Sequence, residues 1–438
     1  MQEEHNTGDT PEGVSLTQIS EMMHESLLWS RDTLQSYQHM QLGQLLRHAR
    51  ANVPFYRNRL NILFDRADDI VWSRWEHVPI LKRADLRLQP QLLLSTINPP
   101  SHGALQTSST SGSTGIPVTV TFPQLFTFVA RAAWNRFRAL QGINFEEGVN
   151  DFCLKLPDHA EPDAEHSPPR KGEYVFFIRR NLPIDRKLYW LQQSGFRYLQ
   201  DMPNHLEIMA RANLRAGKPV QLAAVCGIGM AMSDEQRALF QESFGAKSIM
   251  PYSSKEGSLM AFECPHAPRH YHTCPELGLL EVVDADGHAV PAGQPGRCII
   301  TPFFNSAQPL IRYEQGDIVV SGSHCAGGIA LPILNDIVGR KDAAFNFSNG
   351  DTTFIGIDVA KVRDLLSADA FQVAQIDRNA VEVRYVSTST ASADQTAKVS
   401  EHLLHLAGFP LTLTYRQMKD LPYNSGGKQQ RLVNEYKG

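Results

Sequence analysis

Between residues 220 and 252 the hydrophobic pattern changes period twice, and little else in the sequence narrows the fold so far. Apolar runs at 220–225 and 248–252 flank a helix-period segment at 234–244. Short apolar runs bounded by turn residues read as buried strands, and strands alternating with a helix predict an α/β layer with mixed sheets. From Gly278 the texture shifts to paired strands at 280–283 and 297–301 around Asp284-Ala285-Asp286-Gly287, which predicts a β-rich subdomain. Towards the start, Ile19, Met22, Met23 and Leu27, then Leu42, Leu45, Leu46 and Ala49, recur at helical spacing until Pro54.

Other elements follow from local signals. Val78-Pro79-Ile80-Leu81 reads as a loop running into a short helix, 118–122 as a strand, and the stretch from about 123 to 140 as a helix. Residues 157–172, crowded with proline and charge, are expected to form an exposed excursion. At 438 residues the chain exceeds one core of usual size. A boundary by Asp342 gives a large domain over 1–338 and a small α+β domain over 339–438. The chain is expected to finish in a loop at 422–428 and a short helix.

Charge and composition exclude several classes. A formal net charge of −4 leaves no basic footprint for nucleic acid, so small anions must be held locally. The apolar stretch around 222–232 falls short of the roughly 20 residues a membrane span needs. Met1-Gln2-Glu3-Glu4-His5 lacks the basic start and apolar middle of a secretory signal. The six cysteines, Cys153, Cys226, Cys264, Cys274, Cys298 and Cys325, are too sparse for a disulfide scaffold. A cytoplasmic protein is the expectation.

Chemistry concentrates in five segments. Thr107-Ser108-Ser109-Thr110-Ser111-Gly112-Ser113-Thr114-Gly115-Ile116-Pro117 gathers hydroxyls and glycines before a strand. Glycines let backbone N–H groups converge on phosphate oxygens, so the segment fits a phosphate cradle and equally a flexible linker. It lacks the Gly-Lys-Ser/Thr ending of a Walker loop. Pro251-Tyr252-Ser253-Ser254-Lys255-Glu256-Gly257 sets a ring and a carboxylate at the end of a predicted strand, where α/β sheets bind ligands. Asp317, after Gly316, suits two ribose hydroxyls. Gly339-Arg340-Lys341-Asp342 combines a cation with a candidate hinge, and Pro422-Tyr423-Asn424-Ser425-Gly426-Gly427-Lys428 carries a lysine able to meet an anion as a point charge. Taken singly, each also reads as an ordinary core tyrosine, turn aspartate or surface charge.

Taken in order, these segments resemble the signature set of the adenylate-forming superfamily. Leu45-Leu46-Arg47-His48-Ala49-Arg50-Ala51-Asn52-Val53-Pro54-Phe55-Tyr56-Arg57 and the short length resemble its phenylacetate-coenzyme A ligase and capsule-cluster-type branch. The resemblance implies a large N-terminal adenylate-forming domain and a small mobile C-terminal one. It implies that Ser108, Ser109, Thr110, Ser111, Gly112, Ser113, Thr114 and Gly115 wrap the phosphates of ATP, with Tyr252 and Ser253 at adenine, Glu256 on Mg²⁺ and Asp317 on the ribose. Arg340 would fix the nucleotide, Asp342 would be the hinge and Lys428 would contact carboxylate and α-phosphate.

The implied reaction activates a small carboxylic acid, with an aromatic one favoured, and passes it to coenzyme A; a carrier protein or an amine is the alternative acceptor. A homodimer is also in keeping with the family. Ile116, Ser253 and Lys255 depart from the pattern, which keeps open a degenerate nucleotide-binding member. The acid's pocket is expected between the 126–137 helix, residues 223–232 and the strand leading to Tyr252.

Cys264, His266, His270, His272, Cys274 and Cys325 are thiols and imidazoles of the kind structural Zn²⁺ uses, or else buried cysteines and loop histidines. By resemblance, Cys264, His272 and Cys325 match a zinc site, with His266 or Cys274 as the fourth ligand.

Overall fold

Capping chemistry marks the helix starts. In the computed structural model, which describes residues 15–109, 118–143, 183–194, 196–340, 345–346, 352–353, 359–368, 370–408, 410–422 and 432–436, Ser15 and Ser30 accept N–H groups at the heads of α1 (Leu16–Glu25) and α2 (Arg31–Asn52). Ser233 opens a later helix, Asp234–Phe244, with a reciprocal box to Gln236, and Gly245 closes it in the left-handed region at φ 65°.

The described residues divide into two compact units, one from residues 1–108, 120–315 and 319–337, the other from 109–119, 316–318 and 338–438. In the first, α3 (Arg83–Leu88) precedes the paired strands β1 (Leu105–Ser109) and β2 (Thr119–Pro123), then α4 (Gln124–Leu140). A three-stranded parallel sheet follows: β3 (Tyr198–Asp201), β4 (Ala224–Gly227) and β5 (Lys247–Ile249), with helices α5 (Ile184–Ser194), α6 (Pro203–Leu214) and α7 (Asp234–Phe244) between and before its strands. The α/β layer is therefore present. Its middle strand starts at Ala224, not at 220, and the expected strand over 248–252 is two strands.

That break is functional geometry. Pro251, which has no N–H to give a ladder, begins β6 (Pro251–Ser254), and β6 belongs to a different sheet from β5. The second sheet has seven strands in the order β6-β7-β8-β12-β11-β10-β9. They are β7 (Ser258–Cys264), β8 (Ala267–Thr273), β9 (Gly278–Val283), β10 (Pro295–Pro302), β11 (Tyr313–Ser321) and β12 (Ile333–Arg340). The Asp-Gly turn between β9 and β10 forms as read: Asp284 Oδ1 accepts the N–H groups of Asp286, Gly287 and His288 at 2.9, 2.9 and 3.0 Å.

The second unit holds a four-stranded sheet in the order β17-β16-β15-β18: β15 (Ala370–Asp377), β16 (Ala380–Val386), β17 (Thr412–Gln417) and β18 (Leu432–Asn434). It also holds α8 (Val359–Leu366), α9 (Ala393–Ala407) and the short pair β13 (Phe345–Asn346) and β14 (Thr352–Thr353). The expected C-terminal helix is the strand β18. Its Leu432 and Val433 pair in parallel with Val373 and Ala374, and this long-range ladder overrides the local helix signal.

The main core of the first unit packs α1, α4, β4, β5 and β7 around Phe137, Phe262 and Ile249. A charge pair lies inside it. Arg136 on α4, 1% exposed, meets Glu276, 0% exposed, at 2.6 Å through Nη1 and donates to the carbonyl of Met23 at 2.7 Å. Ser26 donates to the same carboxylate, and Tyr37 to the Glu276 carbonyl at 3.2 Å. The pair thus ties both N-terminal helices to α4 and to the loop between β8 and β9. Glu276→Ala leaves the buried guanidinium uncompensated and is expected to cost about 3–5 kcal/mol in urea unfolding. A loss within experimental error of zero would show that the charge is not held in this core.

Candidate active site and metal centre

The hairpin between β6 and β7 carries Tyr252, Ser253 and Glu256. Its turn is tight. Ser254 Oγ accepts the Gly257 N–H at 2.9 Å and Gln315 Nε2–H at 2.6 Å, and a Cβ on Gly257 would stand 2.7 Å from Ile300. Tyr252 is buried opposite Ala261, and Ser253 is half-buried. Glu256 is only 5% exposed. Its Oε1 accepts from the Tyr313 hydroxyl at 3.2 Å and lies 3.6 Å from Arg83 Nη1.

Sequence reasoning did not find either partner of Glu256. Each is placed by a long-range pairing: Leu81 bridges to Tyr313 in parallel, with Leu81 N–H to Arg312 O and Glu314 N–H to Leu81 O both at 2.9 Å. Lys82 N–H donates to Asp85 Oδ2 at 2.9 Å, fixing the first turn of α3 from which Arg83 projects. Burial, then the Glu256 carboxylate, pushes the Tyr313 phenol above its usual range, so it stays a donor.

The remaining expected nucleotide residues are distributed as follows. Ser108 and Ser109 end β1, and Ser109 Oγ lies 2.9 Å from Thr119 Oγ1. Asp317 sits inside β11 and not beyond a turn, although Gly316 before it keeps φ at 79°. Arg340 closes β12. Thr110, Ser111, Gly112, Ser113, Thr114, Gly115, Asp342 and Lys428 lie outside the described residues.

Of the elements expected to frame the acid, α4 packs against β4 and β5. Leu125, Val129, Ala132 and Ala133 of α4 share a core with Ala224, Cys226 and Ile249. At the C-terminal end of β4, a Cβ on Gly227 would meet Met250 Sδ at 2.4 Å, Met232 Cε at 2.8 Å and Pro203 Cγ at 3.1 Å.

A second cluster forms on β7 and β8. Donor atoms of Cys264, His270, His272 and Cys325 all lie within 4.8 Å of one another. Cys264 ends β7, and His270 and His272, two apart on β8, point to one face as a strand requires. Cys325 comes from the loop between β11 and β12. The thiols stand 3.9 Å apart, and each accepts a backbone N–H from two residues on, Cys264 from His266 at 3.4 Å and Cys325 from Gly327 at 3.2 Å.

His272 is 0% exposed, and both its ring nitrogens lack a protein partner, as does Nε2 of His270. Burial and then His270 lower the His272 pKa to about 4, which keeps the ring neutral as a ligand must be. Two thiols and two imidazoles at this spacing are a set able to hold a tetrahedral metal ion. The geometry makes His270 the fourth donor in place of the expected His266 or Cys274. Cys274 turns instead to Arg136, 3.8 Å away, and His266 is exposed at the rim. The i, i+2 spacing of His270 and His272 was the signal for this.

No protein-family model matches the chain. A phenylacetate-coenzyme A ligase of Thermus thermophilus is 25% identical over 332 residues, covering 71% of this chain and 71% of that protein. Another from Pseudomonas putida is 24% identical over 329 residues, 72% of each chain. Among solved structures, 2-hydroxyisobutyryl-CoA ligase in its postadenylation state with 2-HIB-AMP aligns over 93% of this chain and 90% of its own, with a TM-score of 0.67 and 16% identity. Anthranilate-CoA ligase in complex with anthranoyl-AMP aligns over 74% of this chain and 64% of its own, with a TM-score of 0.50 and 14% identity. The chain is thus similar in sequence to phenylacetate-coenzyme A ligases over about 71% of its length and shares the fold of 2-hydroxyisobutyryl-CoA ligase.

Proposed function

We propose that the protein activates a small carboxylic acid with ATP and transfers the acyl group to coenzyme A. The observation that carries this reading is the sequence relationship to phenylacetate-coenzyme A ligases over 71% of the chain. In the first step a carboxylate oxygen attacks the α-phosphorus, pyrophosphate leaves, and an acyl-adenylate remains. In the second the thiolate of coenzyme A attacks the acyl carbon and AMP leaves.

Carboxylate and triphosphate repel each other, so fixed cations and donors must offset that charge where it develops. In this reading Ser108 to Gly115 hold the phosphates, Tyr252 lies against adenine, Asp317 holds the ribose, Arg340 steadies the nucleotide and Lys428 bridges carboxylate and α-phosphate. Residue Asp342 is the hinge between domains over 1–338 and 339–438. Glu256 offers an oxygen ligand of the hard kind Mg²⁺ takes, and the ion would supply charge neutralisation at the phosphates. The side chains packed around Gly227, those of Met232, Met250 and Pro203, are apolar, in keeping with a ring-bearing acid.

Cys264, His270, His272 and Cys325 would hold Zn²⁺, whose chemistry here is structural: it ties the β7–β8 hairpin to the loop before β12. Protein purified without chelator is expected to contain stoichiometric zinc, and His270→Ala to lose it while Cys274→Ser retains it. Substoichiometric zinc, or retention by His270→Ala, contradicts this ligand set.

Acid-dependent exchange of labelled pyrophosphate into ATP tests the reaction. Across aryl, arylacetic, fatty and amino acids, strong exchange is expected with an aromatic acid. Lys428→Ala is expected to lower exchange by about 10²-fold or more, the scale of removing one group that stabilises transition-state charge, with ATP binding retained. Silence across the panel with ATP bound would refute adenylation of these acids.

A further inference from the structure

The carboxylate expected to take a divalent cation already has a resident cation beside it. We propose that Arg83 is a positioning residue of the adenylation centre: it holds the Glu256 carboxylate in place and sets how strongly that carboxylate takes a metal ion. The proposal rests on the reading of Glu256 as a cation ligand.

Three observations support it. Glu256 is 5% exposed and Arg83 largely covered, so their attraction is little screened by water. Their separation of 3.6 Å exceeds a direct hydrogen bond, so on Glu256 the guanidinium acts by charge, and it also bonds to the Tyr313 hydroxyl that donates to the same Oε1. Both Arg83 and Tyr313 act on Oε1, and both are held by the Leu81–Tyr313 pairing and not by the hairpin they serve. A salt bridge serving stability alone would restrain the turn. Here the turn is already restrained by Ser254 and Gln315.

A positive charge at that distance opposes a second one on the same carboxylate. Removing it raises metal affinity, and retaining charge with a lysine keeps affinity low. The experiment follows free Mn²⁺ by electron paramagnetic resonance during titration of the full-length protein carrying one equivalent of a non-hydrolysable ATP analogue, and of Arg83→Met, Arg83→Lys and Arg83→Met/Glu256→Gln prepared the same way. Arg83→Met is expected to bind Mn²⁺ about tenfold more tightly than the unsubstituted chain, the ratio that one charge-assisted contact supports. Arg83→Lys should stay near the unsubstituted value, and the double variant should lose the gain.

Should Arg83→Met fail to fold, Arg83→Gln removes the charge while keeping a polar side chain. Equal Mn²⁺ affinity in all folded variants, with only thermal stability changed, would reduce Arg83 to a structural residue and overturn the proposal. Absence of saturable Mn²⁺ binding in every variant would overturn it together with the ligand role of Glu256. Adenylation itself is read separately by pyrophosphate exchange, so a failure of one does not pass for a failure of the other.

Discussion

Arg312 holds together the part of the first unit that carries Glu256. It is 1% exposed and sits at φ 51°, a left-handed conformation that a non-glycine residue keeps only when its surroundings impose it. Its guanidinium donates to the carbonyls of Glu76, Val78 and Gly287 at 2.7, 3.0 and 2.8 Å and pairs with Glu281 at 3.1 Å, while its N–H reaches Thr301 Oγ1 at 2.9 Å. These bonds press the segment before α3 against the start of β11. The Leu81 bridge follows from that, and with it the approach of Arg83 and Tyr313 to Glu256. A buried arginine with this many carbonyl acceptors fixes one arrangement more than it adds net stability.

The Cys264–His270–His272–Cys325 cluster and the Arg136–Glu276 pair both lie beside the β7–β8 hairpin. Phe262 faces both, with its ring centroid 5.6 Å from that of His272 and 5.3 Å from the Arg136 guanidinium. Cys274 belongs to the arginine side and not to the cluster. Around one hairpin stand two different solutions to burying polar groups: thiols and imidazoles arranged for an ion, and a guanidinium neutralised by a carboxylate.

Much of this was legible where a local signal was strong. Ser233 and Gly245 bracket a helix that the sequence placed at the same residues, and Asp284 to Gly287 announced the β9–β10 turn. The reading failed where distant partners decide. Residues 432–434 form a strand because β15 lies beside them, and Pro251 divides an apolar run between two sheets. Residue type marked out the whole group of thiols and imidazoles, and the family resemblance selected Cys264, His272 and Cys325 from it, whereas selecting His270 required knowing that the segment is a strand. Arg83 gave no signal at all, since its role depends on Leu81 meeting a tyrosine far along the chain.

The central claim is that an acid is activated through the α-phosphate of ATP. Turnover with a carboxylate labelled with ¹⁸O on both oxygens tests it most directly, with the products analysed by mass spectrometry. The account predicts that a single labelled oxygen passes to the phosphate of AMP. Label in orthophosphate, with unlabelled AMP or with ADP as the nucleotide product, would mean an acyl-phosphate route and would contradict it.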